Sequence, residues 1–361
     1  MKIAIVAYLH GAGGAEKQAI LLANYLSLKN EVFLVILAEN NCKYDISDRI
    51  RIIDLSKREK KGIKIIQRYS RLKSFYKKIR PNVTIHYWFQ SVYLTYFVKK
   101  MYCGSIIYAE RGDPSDSEYS GLLGFVRKKS LKIIDGLVFQ TVQAREAFID
   151  NNIKSAIIEN PLFIDTERYC CPSKQRNKTV INVGRLHEQK NQRLLIESFK
   201  MVHNILPQFS LEIYGDGDLK DELIDLIKKN NLQDAVSIHS SVKSIMEIMY
   251  NSSLFVLTSN YEGMPNALME AMALGVPCIS TNYSPGGVTA LIDNNINGII
   301  VPKNDRESLF EAMMLVLKND AVFQSLADNA FNTRYKFSPN VVFEKWDKFL
   351  ELIISGGKYN E

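Results

Sequence analysis

No stretch of this 361-residue chain approaches the roughly 18 consecutive apolar residues that a membrane-crossing helix needs. The opening run from Met1 to Leu9 is apolar only briefly before it meets glycines, so it predicts a buried first strand and not a signal peptide. Cysteine is sparse. Cys42, Cys103, Cys170, Cys171 and Cys278 are odd in number and lack metal-type spacing, which argues against a zinc module and for reduced thiols in the cytoplasm. The 5 histidines offer no Ser/His/Asp or Cys/His arrangement from which nucleophilic catalysis can be argued. Internal repeats and low-complexity tracts are missing too.

What is present reads as a folded globular protein. Hydrophobic residues make up 46% and charged residues 24%, and the length fits two domains. Charge is unevenly shared. Residues 1–165 carry 26 Lys/Arg against 16 Asp/Glu, hence +10, and the rest carries 20 against 23, hence −3. The positive charge therefore belongs to one domain and points to an acidic partner for it.

Buried strand patterns at 2–9, 32–37, 83–87, 105–109 and 136–139 alternate with helical spacing such as that over 16–28. Alternation of this kind predicts a parallel sheet wrapped by helices. Turn formers and charges from Ile158 through Asn160, Pro161, Pro172 and Ser173 to Lys178 predict a linker. A second alternating unit follows, with strands expected at 179–183, 211–214, 236–239, 254–258, 277–280 and 298–301. One more amphipathic helix, holding Trp346 and Phe349, comes after Pro339.

The most informative segment runs from Glu262 through Gly263, Met264, Pro265, Asn266 and Ala267 to Glu270, and on to Gly275 and Pro277. Pro265 suits the first position of a helix, and Gly275 with Pro277 ends it. Amides at the helix start favour an anion such as phosphate, with a carboxylate on either side to accept from sugar hydroxyls. In the loop after residues 179–183, Arg185 offers a planar fork for phosphate oxygens and Lys190 a mobile point charge. Glycine loops at Gly11-Ala12-Gly13-Gly14-Ala15-Glu16 and at Ser284–Val288 let backbone approach a ligand closely. The first invites a dinucleotide reading, with Glu39 as the ribose acid, but Glu16 stands where the third glycine belongs. Asp216 and Asp218 invite a metal, although a turn with an acidic helix start explains them, and no metal is expected.

On the first domain, Glu110 and Arg111, before Gly112, Asp113 and Pro114, stand side by side at the end of a strand as candidates for catalysis or acceptor binding. A structural salt bridge is the competing role. His86 is a third candidate on that side, with a buried structural role as its alternative. Residues 57–80 hold eleven Lys/Arg and one acid, Glu59, with apolar residues at helical spacing, and Arg127, Lys128, Lys129 and Lys132 add a second basic cluster. That pattern predicts contact with an anionic membrane surface; nucleic acid is not expected, because no binding module accompanies the charge.

Taken in order, the Gly13-Gly14-Ala15-Glu16 loop, Val183-Gly184-Arg185-Leu186 with Lys190, the Glu262-to-Glu270 motif and the Ser284–Val288 loop resemble the family-four retaining glycosyltransferases. The resemblance implies an α/β fold of the GT-B type. Two Rossmann-like doubly wound domains would face each other across a cleft, an acceptor-binding domain over 1–165 and a nucleotide-sugar domain over 178–338, with the helix in 339–361 crossing back to the first. It implies that Arg185 and Lys190 hold the donor diphosphate, that Glu270 binds ribose hydroxyls and Glu262 lies against the donor sugar, with Gly263, Met264, Asn266 and Ala267 beside them. Gly13 and Gly14 would close over the diphosphate. Two departures stand out: Glu110-Arg111 falls where many members place a histidine, and Ala290 where a glutamate is common. The wording around Glu262 and Glu110 is similar to bacterial capsule and O-antigen enzymes. It implies retaining transfer of a hexose or N-acetylhexosamine from a UDP-sugar to a lipid-linked glycan, without cofactor, at the inner face of the cell membrane. A UDP-sugar epimerase of the same architecture and an NAD-dependent oxidoreductase are the alternatives.

Overall fold

The computed structural model describes the chain apart from residues 10–12, 38–41, 43, 57–63, 103, 113–120, 149–152, 173–175, 243, 284–285 and 357–361. Gly11, Ala12, Glu39, Glu59, Cys103, Asp113, Pro114, Ser173 and Ser284, all invoked above, lie outside the described residues. The chain divides into two compact units, one of Met1–Pro161 with Asn340–Glu361, the other of Leu162–Pro339.

The first unit begins with β1 (Lys2–Ala7), α1 (Gly14–Leu26), β2 (Glu31–Ile36), β3 (Arg51–Asp54), α2 (Lys64–Ile79) and β4 (Val83–His86). It continues with α3 (Phe89–Tyr102), β5 (Ser105–Ala109), α4 (Gly121–Leu131), β6 (Gly136–Phe139), α5 (Val142–Glu146) and β7 (Lys154–Ile157). Its strands pair in parallel in the order β3-β2-β1-β4-β5-β6-β7. The expected strands are all there. The two unforeseen ones, β3 and β7, are the edges of the sheet. Arg51, Asp54, Lys154 and Ser155 give them the polar content that an edge strand carries and that hides it from an apolar pattern.

The second unit holds β8 (Asn177–Val183), α6 (Gln192–Ile205), β9 (Ser210–Tyr214), α7 (Lys220–Lys229), β10 (Val236–His239), α8 (Ile245–Tyr250) and β11 (Ser252–Leu257). After them come α9 (Asn266–Ala273), β12 (Cys278–Thr281), β13 (Ile299–Val301), α10 (Arg306–Lys318), α11 (Asp320–Phe331) and α12 (Thr333–Lys336). The sheet order is β10-β9-β8-β11-β12-β13, again parallel. The expected linker is mostly part of this unit: the Leu162 amide donates to the Phe337 carbonyl at 2.8 Å, and the carbonyl of buried Tyr169 accepts from Arg334 at 2.7 Å. Turn-forming composition predicts a linker, whereas these backbone groups find partners within the unit.

The last helix, α13 (Pro339–Ser355), packs on the first unit, as the sequence implied. Trp346, Phe349 and Ile353 join the core beneath β1, β4 and β6. A Cβ on Gly136 would stand 2.7 Å from Ile353 Cδ1, so glycine there lets helix and strand approach. Tyr25 stacks on Phe343 with ring centroids 4.2 Å apart and donates to Asp347 Oδ2 at 2.6 Å. The architecture is two doubly wound α/β units, the GT-B type.

Candidate functional site

In the second unit the strand order reverses direction between β8 and β11, and open α/β sheets bind ligands outside the carboxyl ends of strands at such a point. The loop after β8 carries Arg185 and Lys190; the loop after β11 carries Glu262 and leads into α9 with Glu270. Hydrogen bonds join these two loops. The Asn260 amide donates to the Gln189 carbonyl at 2.8 Å, Gln189 Nε2 to the Tyr261 carbonyl at 2.9 Å, and Thr258 Oγ1 to the Lys190 carbonyl at 2.9 Å.

Across that seam the Lys190 ammonium forms an ion pair with Glu262 Oε1, their side chains only 14% and 11% exposed. Ser259 Oγ donates to the same oxygen at 2.9 Å. A Cβ on Gly184 would sit 3.3 Å from Lys190 Cε, so the glycine makes room for the lysine stem. Arg185 is exposed and lightly tethered, its Nη2 donating to Gln189 Oε1 at 3.1 Å. Gly215 packs backbone to backbone: a Cβ there would meet the Gly184 carbonyl at 1.8 Å.

The helix start differs slightly from expectation. Pro265, expected as the first helical residue, is instead the N-cap with an extended ψ of 114°. No side chain caps α9 and none of its first-turn residues is acidic, so the positive end of its dipole is presented together with the Lys190–Glu262 pair just before it. Met264 is buried beside it, and Glu270 is buried within the helix. At the other end Gly275 takes φ +67°, and buried Arg334 grips the Ala273 carbonyl through Nε and Nη2 at 3.1 and 2.8 Å. A cation there complements the negative end of the dipole.

The later glycine loop supports the same segment. A Cβ on Gly287 would lie 1.6 Å from the Gly263 carbonyl, so the two backbones touch. Buried Tyr283 stands near Glu262, and burial first, then that carboxylate, pushes its phenol well above the ordinary range. Sequence reasoning missed Ser259, Thr258, Gln189 and Tyr283. Only Ser259, three positions before Glu262, left a local signal. Asp216, once weighed as a metal ligand, accepts from the Ser241 amide at 3.1 Å, and hydrogen bonds from that turn hold its carboxyl below the usual range. Among the described residues no cluster of three or more His, Cys, Asp or Glu is placed to hold a metal ion.

In the first unit, Gly13 is the N-cap of α1 and Gly14 its first residue; the Gly13 amide donates to Glu16 Oε2 at 3.3 Å, which satisfies one orphan amide of the helix start. Glu110 and Arg111 lie together after β5, where the Glu110 carboxylate is held by its neighbours. Its Oε1 accepts from the Arg111 and Gly112 amides at 3.0 and 2.9 Å, and its Oε2 takes the Tyr108 hydroxyl at 2.9 Å and faces Arg127 at 3.7 Å. Three hydrogen bonds and the Arg127 charge surround a carboxylate that is 3% exposed. Arg111 lies over the Tyr87 ring at 5.1 Å and donates to Asn160 Oδ1 at 3.1 Å. His86 takes the buried structural role that was its alternative. It is fully buried, and because Ser91 Oγ donates to the Trp88 carbonyl at 2.5 Å, that hydroxyl accepts from His86 Nδ1 at 2.7 Å. Burial pushes its pKa down to about 3, so it is a neutral structural ring and not an acceptor-side acid.

The apolar stripe of α2 is also committed inward: Leu72, Phe75 and Tyr76 are buried against β1 and β2. Lys73, Lys77 and Lys78 remain exposed on the other side, with Ile66 67% exposed near the helix start. No helix among the described residues is long and apolar enough to cross a membrane.

Residues 165–333 match the family model described as Glycosyl transferases group 1. The chain is 27% identical over 206 residues to an uncharacterized glycosyltransferase of Haemophilus influenzae, covering 57% of each chain. It thus spans little more than half the length of that curated relative. It is 25% identical over 93% of its length, and 95% of the other's, to a Campylobacter jejuni N-acetylgalactosamine-N,N'-diacetylbacillosaminyl-diphospho-undecaprenol 4-alpha-N-acetylgalactosaminyltransferase. Among solved structures, Anabaena HepE in complex with UDP and glucose superposes with a TM-score of 0.85 at 17% identity, covering 97% of this chain and 99% of that one, a likeness of fold.

Proposed function

We propose, from the premise that the second unit is a group 1 glycosyltransferase domain, that this protein transfers a hexose or N-acetylhexosamine from a UDP-sugar to a lipid-linked glycan, with retention of anomeric configuration. The observation that carries the reading is the Lys190–Glu262 pair at the switch point, flanked by Arg185 and by the uncapped start of α9. Two cations and a helix N-terminus suit a diphosphate, and two carboxylates suit the hydroxyls on either side of it.

In this reading Arg185, Lys190 and the α9 amides stabilise the departing diphosphate, and its oxygen takes the acceptor's proton, so no protein nucleophile is invoked. Glu270 holds the ribose and Glu262 the donor sugar, while Gly263, Met264, Asn266 and Ala267 shape the turn between them. Gly13 and Gly14 contribute from the first unit. No metal is needed, because the cations neutralise the diphosphate. Glu110 acts on Arg111 by fixing its backbone. The relatives' undecaprenyl-diphosphate acceptors support a lipid-linked acceptor here. The exposed basic face of α2 supports peripheral attachment to an anionic membrane from the cytoplasmic side.

A thermal-shift screen over nucleotide sugars tests the donor, since a ligand that binds the native state raises the midpoint by mass action. A UDP-sugar is expected to stabilise the chain and then to release UDP only when a saccharide acceptor is added. Conversion of the donor sugar without any acceptor would instead assign an epimerase, and stabilisation by NAD alone an oxidoreductase.

A further inference from the structure

The first unit has its own reversal of strand order, between β1 and β4, and the residues that emerge there are aromatic. Tyr8 follows β1 and Trp88 follows β4, both half-buried, with ring centroids 5.8 Å apart and planes at 84°. Tyr87 lies against Trp88 at 6.1 Å and is itself covered by Arg111. The chain has two tryptophans. Trp346 is buried in the core, whereas Trp88 rests at the margin of its cluster and keeps part of its ring in water. A side chain with one apolar face packed and one wet suits a surface that closes on a ligand.

Arg68 of α2 brings a charge to the same place. Leu72, one turn further along α2, is buried in the cluster against which Tyr8 packs, and the positive field of Arg68 opposes the upward push that burial gives the Tyr8 phenol. The carboxyl end of this sheet therefore combines flat aromatic surface with a guanidinium, at the point where doubly wound sheets bind ligands.

We infer that Tyr8 and Trp88 form the saccharide platform of the acceptor site, and that Arg68 receives a phosphate of the acceptor's diphosphate. The inference rests on the glycosyltransferase reading and specifies its acceptor side, in place of His86 and Glu110. The C–H groups on one face of a pyranose ring pack on the indole, and the charge of Arg68 selects a phosphorylated acceptor over a neutral glycan.

Trp88 supplies its own reporter, because Trp346 is shielded and contributes a constant background. The full chain is titrated with three probes: an N-acetylglucosaminyl diphosphate carrying a farnesyl tail, the methyl glycoside of the same sugar, and farnesyl diphosphate. The sugar diphosphate is expected to change the tryptophan emission at the lowest concentration of the three, and that change is absent in Trp88→Phe. In Trp88→Ala its dissociation constant, followed by thermal shift, rises about tenfold. In Arg68→Gln the sugar diphosphate and farnesyl diphosphate weaken about tenfold while the methyl glycoside is unchanged. Unaltered thermal-shift affinity for the sugar diphosphate in Trp88→Ala, or no emission change in the wild type with any probe, overturns the inference. UDP-sugar stabilisation is measured on every variant. If it persists while the platform arms fail, this inference alone is lost; if the wild type shows none, the transferase reading is lost.

Discussion

Lys190 and Glu262, 72 positions apart in the chain, meet as a largely buried ion pair at the point where the second sheet reverses its strand order. Both side chains are largely buried, so removing one leaves the other without its partner in a place poorly reached by water. Lys190→Ala or Glu262→Gln should therefore lower transfer by at least about 100-fold, the scale of losing one preorganised charge at a transition state. Circular dichroism should stay native. Near-normal turnover in either folded variant would remove the pair from the mechanism.

Backbone contact sets a second expectation. Gly287→Ala puts a methyl group 1.6 Å from the Gly263 carbonyl, so the loop that carries Glu262 must move. Overpacking of this kind costs about 1–3 kcal/mol. The variant should melt several degrees lower and show a raised KM for the nucleotide sugar; unchanged KM would detach this loop from donor binding.

His86 gives a pH dependence with a definite sign. Its pKa falls from an ordinary 6.5 to about 3 on folding, so the unfolded chain binds the extra proton between those values. Stability from this group is complete above pH 6.5 and is lost as pH falls toward 3, at up to about 1.4 kcal/mol per pH unit. Urea midpoints of His86→Phe between pH 6.5 and 4.5 should fall less steeply than those of the wild type. Parallel slopes would show that burial of this ring is not linked to protonation.

Glu110 separates structure from chemistry. Glu110→Gln cannot accept as three donors now require and leaves Arg127 without its carboxylate, so the melting temperature should drop while kcat of the folded fraction changes only a few-fold. A loss of a thousandfold in kcat at constant melting temperature would restore Glu110 as a base.

The exposed basic face of α2 predicts membrane attraction without insertion. Charge reversal at Lys73, Lys77 and Lys78 should abolish co-sedimentation with anionic vesicles, since each surface cation contributes about 1 kcal/mol. Raised salt should release the wild type as well. Salt-insensitive attachment would mean that apolar insertion dominates.

Much of this was legible in the chain because it is local. Apolar runs of strand length, Gly275 closing α9 and the alternation of elements are set by neighbours along the sequence, so both parallel sheets could be read directly. The edge strands β3 and β7 could not, because solvent lets them carry polar residues. The α2 pattern was ambiguous for a related reason: an apolar stripe looks the same whether it covers a sheet or a lipid surface.

The sequence by itself determined which side chains are available: the motif from Glu262 to Glu270, the cations Arg185 and Lys190, and the glycines that let loops touch. Tertiary structure alone decided which of them meet. It joined Lys190 to Glu262 through two loops tied by hydrogen bonds, surrounded Glu110 with three donors and the Arg127 charge, and sealed His86 where desolvation holds it neutral. Partner choice and desolvation depend on distances through space, which residue order along a chain does not contain.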